Sequence, residues 1–272
     1  MQVGYALKKY IGRYFTLILT INVGNTNISI GGYTPDDKLL FKSVISTQSL
    51  LTADEYAIKF MDILKLNDCK TKNITGVAIS NVVTPLSSVI KLAVRKLTDE
   101  KIIVVGPGIK TGINIKTDDP AVLGADLVCL AVGALKKYNP PSIIIELGTA
   151  TVISAIDSNR LFRGTSIIPG MKISLKALSN ACAQLPDVEM NYKSGAIIGT
   201  NTVHSMQSGI IISTACMLDG MILRFKELIG SDAIVICTGE YAKLVIPHCK
   251  SDVIHDETLD LYGLNLLYKK NA

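Results

Sequence analysis

The sequence predicts an α/β protein made of two duplicated halves. Three observations carry that reading. Strand-like and helix-like runs alternate along the chain. Residues 21–30, INVGNTNISI, lie over residues 145–154, IELGTATVIS, in one pattern: apolar, polar acceptor, apolar, Gly, polar, small or hydroxyl, polar, then a strand. Each copy is then followed by a turn holding Asp (Asp36 and Asp37; Asp157) and a third strand with a basic residue (Lys42; Arg163). Two such halves, each opening with a three-strand meander and a glycine turn, would face one another across a cleft.

The elements follow in order. Strands are expected at 16–22, 27–33 and 38–46. A helix fits 52–66, with Thr52 as N-cap and Glu55 three residues on, the signature of a capping box. ITGVAIS (74–80) reads as a buried strand, a helix lies near 84–97, and KIIVVG (101–106) is a further strand. GPGIKTGINIKTDDP (106–120) reads as a glycine- and proline-rich loop. In the second half a helix fits 121–138, and Pro140-Pro141 breaks it. SIIIELGTATVISAID (142–157) reads as strand, turn, strand, and RLFRGTSII (160–168) as a third strand. Helices fit 170–183 and 200–229; AIVICTGEYAKLV (233–245) is strand, glycine turn, helix; a last helix fits 258–270. The expected division is an extension over 1–16, a first half over 17–121 and a second over 122–272, with the last helix packing back on the first half.

The bulk numbers suit a globular protein. The chain has 272 residues, 48% hydrophobic and 6% aromatic, with no Trp. The net charge of +5 comes from scattered basic residues, so no nucleic-acid partner is expected. No apolar run in the sequence reaches the roughly 18–20 residues of a membrane span, so no membrane partner is expected either. Lys8, Lys9 and Arg13 precede a short apolar stretch that runs into Asn22 with no small-residue cleavage site, unlike a signal peptide. The six Cys include no C-x-x-C pair and read as buried free thiols of a cytoplasmic protein. Three His without ligand spacing argue against a structural metal site.

The chemistry concentrates at the glycine turns. A glycine tip presents backbone N–H groups without obstruction, and Thr26, Thr149 and Thr151 add hydroxyls. Two matched tips could hold the phosphates of a nucleotide, and a carboxylate before each would hold a cation or its water shell. Each turn taken alone is equally readable as a plain hairpin. CTGEYAKLV places Thr238 and Gly239 between a strand and a helix, where a flat ring could approach the backbone. In VLGADLVCLAVGAL, Asp126 stands near the start of an apolar helix, either as a carboxylate favoured by the helix dipole or as a general base.

With these stations in order, the sequence resembles the type III pantothenate kinases, members of the actin-like acetate-and-sugar-kinase superfamily. The stretches that carry the resemblance are GPGIKTGINI, LGAD, LGTAT, IPGMKISLKAL with a later LP, and IGTNTVHSMQSGI. It covers about residues 17–270. It implies duplicated actin-like (ribonuclease-H-like) halves, each a mixed five-stranded sheet with helices. It implies ATP-dependent phosphorylation of pantothenate to 4'-phosphopantothenate, the first step of coenzyme A biosynthesis. It implies ATP, Mg2+ and K+ or NH4+ as cofactors, and a homodimer with the substrate site near the subunit interface. By the same resemblance Asn22, Gly24, Asn25, Thr26, Asn27 and Ser29 form the first phosphate turn, and Thr149 and Gly239 are ATP contacts. Thr117, Gly124, Ala125, Asp126, Leu127 and Thr202 form the substrate set, with Asp126 accepting the hydroxyl proton, and Glu146 holds the monovalent cation.

Five positions depart from the family pattern. The family's first turn opens with Asp, where this chain has Asn22, an oxygen without the charge. The second acid is Glu146 rather than Asp, Leu127 replaces Arg, Thr117 replaces Tyr, and Glu240 replaces a second Gly. All five are ligand positions. Besides pantothenate kinase activity, the sequence therefore leaves open a catalytically impaired homologue serving as a dimeric binding or accessory protein. Another phosphotransferase or phosphohydrolase of the superfamily also stays open.

Overall fold

A computed structural model describes residues 16–192 and 195–272. The expected N-terminal extension therefore lies outside the described residues, apart from its final residue. The described chain divides into two compact units. The first takes the described residues up to Gly112, then Ala121–Gly133 and Asp260–Ala272; the second takes Ile113–Pro120 and Ala134–Leu259.

The first unit is built on a five-stranded sheet, β1 (Leu17–Val23), β2 (Asn27–Tyr33), β3 (Leu39–Ser46), β4 (Ile74–Asn81) and β5 (Ile102–Val104), in the order β3-β2-β1-β4-β5. β1 pairs antiparallel with β2 and parallel with β4. Strand alternation sorts its side chains by face. Leu17, Leu19, Ile21 and Val23 enter a core completed by α1 (Ala53–Leu66) and α2 (Ser87–Arg95), through Phe60, Leu64, Ile90 and Val94. α1 starts where the capping box requires: Thr52 Oγ1 accepts the Glu55 N–H at 3.3 Å, and Glu55 Oε2 accepts the Thr52 N–H at 2.7 Å. α2 is shorter than expected because Thr84–Leu86 forms a separate 3-10 turn with Pro85 near its start.

The opposite face, carrying Ile18, Thr20 and Asn22, meets α7 (Leu259–Asn271). Close approach needs small residues there. A Cβ on Gly31 would stand 3.1 Å from Leu261 Cδ1, and a Cβ on Gly76 would overlap the Tyr268 ring. The Tyr268 hydroxyl donates to the Thr75 carbonyl at 3.1 Å, and Asn265 Nδ2 donates to Asp37 at 2.6 Å. The middle of α3 (Ala125–Lys137) packs against α7, where a Cβ on Gly263 would overlap the Cys129 carbonyl.

The second unit repeats the topology. Its sheet comprises β6 (Asn114–Ile115), β7 (Ser142–Leu147), β8 (Ala150–Ile156), β9 (Leu161–Pro169), β10 (Ile234–Thr238) and β11 (Ile254–His255), in the order β11-β10-β7-β8-β9-β6. β7 pairs antiparallel with β8 and parallel with β10, as β1 does with β2 and β4. β6, a sixth strand in the stretch expected to be a loop, adds to the edge beyond β9. Ile143, Ile145, Leu147, Val235 and Cys237 face a core closed by α4 (Met171–Ala181), α5 (Thr202–Ile229) and α6 (Ala242–Val245). α5 is long and apolar enough, by length and composition only, to cross a membrane, although polar residues interrupt its apolar run. Its Ile211, Ala215, Leu218 and Ile222 are buried in the second core. The cysteines depart from expectation: all six are free, but Cys182 and Cys216 are exposed.

Candidate functional site

The two units carry equivalent glycine turns. Asn22 is the last residue but one of β1, and Glu146 the last but one of β7. Asn22 is in register with Ser29 and Ser80; Glu146 is in register with Val152 and Thr238. The Gly24 N–H closes the first tip on the Asn27 carbonyl at 3.0 Å, and the Gly148 N–H closes the second on Ala150 at 3.0 Å. The second tip is one residue shorter. Thr47 buttresses the first from β3's end: its hydroxyl donates to the Gly24 carbonyl at 2.6 Å and its N–H to Thr26 at 2.8 Å. Asn25 is exposed at the tip, and Ser29 lies on β2.

In the first unit, Asp126 stands in the first turn of α3, which begins at Ala125 rather than 121 because Pro120–Val122 forms its own 3-10 turn. Asp126 Oδ1 accepts the Leu127 N–H at 2.8 Å. Gly124 makes room for this arrangement, since a Cβ there would lie 2.4 Å from that oxygen. Burial lifts the Asp126 carboxyl above its ordinary value, and the nearby charge of Asp260 adds to the shift against the pull of the backbone N–H groups. Leu127 is buried.

Asp260, at the start of α7, was not among the residues singled out from sequence. Its Oδ2 accepts a 2.9 Å hydrogen bond from Asn22 Nδ2. Burial raises its carboxyl too, opposed by the Asn22 amide, the Leu261 N–H and the charge of Lys42. The face of the sheet explains the meeting. Asn22 points to the α7 side, and Lys42 of β3, in register with Gly31, shares it. The corresponding basic residue of the second unit does something else: Arg163 pairs with Asp157 at 3.0 Å. Asn22 Oδ1 and Ser80 Oγ are both buried and have no hydrogen-bond partner among the described residues. A carboxylate with two unsatisfied neutral oxygens beside it fits a hydrated divalent cation, which keeps water and phosphate among its ligands.

In the second unit Thr149 lies at the second tip, whose backbone presses on the start of α4. A Cβ on Gly170 would stand 2.1 Å from the Thr149 carbonyl oxygen and 2.6 Å from that of Gly148. Gly239 has φ +99°, and a Cβ there would lie 2.5 Å from the Leu147 carbonyl oxygen. The glycine is thus required by the backbone at the end of β7, a reason the sequence did not offer. The next two residues, Glu240 and Tyr241, line a cavity of about 1150 Å³ with Lys172, Lys176, Glu189 and Met190. The Thr117 hydroxyl is buried and hydrogen-bond-free. Thr202 opens α5 just after its N-cap Asn201, and lines a cavity of about 260 Å³ with Leu178 and Met206.

The family profile described as type III pantothenate kinase matches residues 18–224. The chain belongs to the type III pantothenate kinases. It is 38% identical to the type III pantothenate kinase of Halalkalibacterium halodurans over 94% of this chain and 100% of that one. The enzyme of the same name from Exiguobacterium sibiricum is also 38% identical, with the same coverage. Among solved structures, a conserved putative Baf family transcriptional activator from Campylobacter jejuni aligns with a TM-score of 0.57 at 17% identity, over 93% of this chain and 98% of that one. A putative N-acetylmannosamine kinase from Listeria monocytogenes aligns with a TM-score of 0.53 at 11% identity, over 93% and 98%. These likenesses show the fold, the actin-like kinase architecture that the repeated sheet topology displays. This pantothenate kinase family member therefore has the predicted fold, with a sixth strand added to its second sheet.

Proposed function

We propose that the protein phosphorylates pantothenate with ATP to give 4'-phosphopantothenate, feeding coenzyme A biosynthesis. The observation that carries the reading is Asp126, a raised, partly buried carboxylate oriented by Leu127 N–H over Gly124, in a chain alignable with named pantothenate kinases along their full length. Asp126 takes the proton of the pantothenate hydroxyl as that oxygen attacks the γ-phosphorus. The bond from phosphorus to the β,γ-bridging oxygen breaks, and ADP leaves. A carboxylate raised toward the working pH is a better proton acceptor than an ordinary one. Phosphoryl transfer needs mostly positioning and neutralised charge, which the turns provide.

The first turn, Asn22 and Gly24–Asn27 with Ser29, takes phosphate oxygens, and Thr149 does so from the second turn. A divalent ion, when bound, would neutralise charge on the phosphates; the Asn22 and Ser80 oxygens are on hand for it, with the carboxylate of Asp260 behind the Asn22 amide. Gly239 and the adjoining cavity receive the nucleoside. Lys172 and Lys176 line the same cavity as Glu240, with Lys176 paired to Asp187 at 2.6 Å. Glu146, which stands in its sheet where Asn22 stands in the other, holds K+ or NH4+. Gly124, Ala125, Leu127, Thr117 and Thr202 receive pantothenate; the unpartnered Thr117 hydroxyl supports a polar contact there. The active form is a cytoplasmic homodimer.

The experiment is a coupled assay of ADP release with ATP, magnesium and potassium, with and without pantothenate. Pantothenate-dependent ADP is the expected result. Folded, pure protein without turnover would overturn the assignment. Replacing potassium by sodium tests the monovalent site, and light scattering tests the dimer.

A further inference from the structure

The first phosphate turn has no acid of its own, and the structure assigns that role to Asp260, reaching it from α7. This inference rests on the kinase reading above and identifies the residue that supplies the turn's negative charge.

The argument starts from which way the Asn22 amide faces. Asn22 Nδ2 donates to Asp260 Oδ2 at 2.9 Å, the orientation that suits an ionised carboxylate, which only accepts hydrogen bonds. That leaves Oδ1 on the other side, where it is buried and accepts from no group among the described residues. Ser80 occupies the same register position on the adjacent strand β4, is fully buried, and also has an unpartnered hydroxyl. A buried oxygen without a partner is unfavourable, and two at one register position are doubly so unless something outside the protein chain satisfies them. Beside them stand one carboxylate with its charge partly balanced by Lys42 and a second, Asp126, whose proton affinity Asp260 raises. Among the described residues no three acids, His or Cys gather as an all-protein cage. A magnesium ion does not need one. It keeps several waters, takes one or two carboxylates and shares the substrate's phosphates.

Asp260 also lies in the first turn of α7, where any acid is favoured by the helix dipole. That accounts for an acid at this end of the helix. It does not account for a half-buried one tied to the penultimate residue of β1, with unsatisfied oxygens in the same register row. Asp260 is therefore a positioning residue. It places negative charge at the first turn without itself being on that turn, and the Asn22 amide holds it there.

The test is to measure binding of a non-hydrolysable ATP analogue by calorimetry across a magnesium titration. The proteins are the parent, Asp260→Asn, and the double variant Asn22→Asp with Asp260→Asn. The single variant removes the charge. The double variant returns one carboxylate and one amide across the same hydrogen bond with the polarity reversed. Asp260→Asn is expected to need 10–100-fold more magnesium, the usual loss for a group that orients a metal site. The double variant is expected to recover to within a few-fold of the parent. A parent-like magnesium requirement in Asp260→Asn, or a folded double variant that stays as weak as the single one, overturns the inference. If Asp260→Asn melts before binding can be read, the double variant decides against the parent: a magnesium requirement within a few-fold of the parent's supports the inference, and one about 10-fold or more higher overturns it. If the parent binds no nucleotide with magnesium, the kinase reading itself falls and takes this inference with it.

Discussion

Replacing Gly170 by Ala tests the second turn without touching any group proposed to contact substrate. The new methyl would stand 2.1 Å from the Thr149 carbonyl oxygen, where real contacts of this kind do not come closer than 3.0 Å. Gly170 has φ −68° and ψ 160°, which Ala adopts without strain, so the whole effect is steric. The clash is with backbone, and neither α4 nor the β7–β8 tip has a flexible side chain to yield. Relief requires opening the gap by about 1 Å. A misplacement of about 1 Å is worth on the order of a hundredfold in rate, or roughly 2.7 kcal/mol of transition-state stabilisation. Overpacking costs on the order of 1–3 kcal/mol of stability besides. The assay is ADP release with ATP varied at saturating pantothenate, alongside a thermal melt. The expected result is a fall of about a hundredfold in kcat/KM for ATP at a temperature where the variant is fully folded. A variant with parental kcat/KM for ATP would refute the proposal that the 148–149 tip positions the nucleotide, because the geometry leaves the tip nowhere to stay.

Other outcomes follow from the same geometry. Asp126→Asn should lower kcat by about 10²–10⁴-fold, the range for loss of a general base, with little change in KM. Asp126 and Asp260 both have carboxyls raised by burial, so their contribution to stability is fully present below the ordinary carboxylate range and is lost as pH rises through the raised values; Asp126→Asn should therefore raise Tm at pH 7 and leave it unchanged at acid pH below the ordinary carboxylate range. Activity should fall on acidification at a pH above the ordinary carboxylate range, with kcat read against pH at saturating substrates. Gly220→Ala, at an exposed interior position of α5 where an added Cβ meets nothing, should stabilise by about 0.5–1 kcal/mol in urea melts and leave kinetics intact.

Much of the fold was legible because it is written in local pattern. Alternating apolar runs placed the long strands, the Thr52 and Glu55 spacing placed the start of α1, and the doubled glycine turn disclosed the duplication. What escaped was of two kinds. β6 and β11 are two residues long and have no period to read; only pairing with β9 and β10 makes them strands. Asp260 escaped because its importance depends on a meeting across 238 residues, set by which face of β1 carries Asn22 and which helix covers that face. The altered residue at the first turn was visible in the sequence. Its partner was not, so the sequence alone gives no warning of what restoring the family's acid by Asn22→Asp would do. In the structure that change would set two carboxylates across a 2.9 Å bond, where one of them would have to give up its charge.

The course of the chain has a consequence for how the molecule is made. α7 belongs to the first unit but follows the whole of the second in the polypeptide. Leu261, Leu264 and Leu267, all fully buried, cannot cover their face of β1 and β2 until more than two hundred residues after those strands have emerged from the ribosome. The second unit can mature on its own schedule, while the first waits with one side of its sheet uncovered. Because Asp260 rides on the same helix, a nascent chain has Asn22 and Asp126 early but acquires the acid between them only with its closing helix. Completion of the fold and acquisition of that charge are then one event, and a chain cut short before α7 would carry the turns of a kinase without that acid.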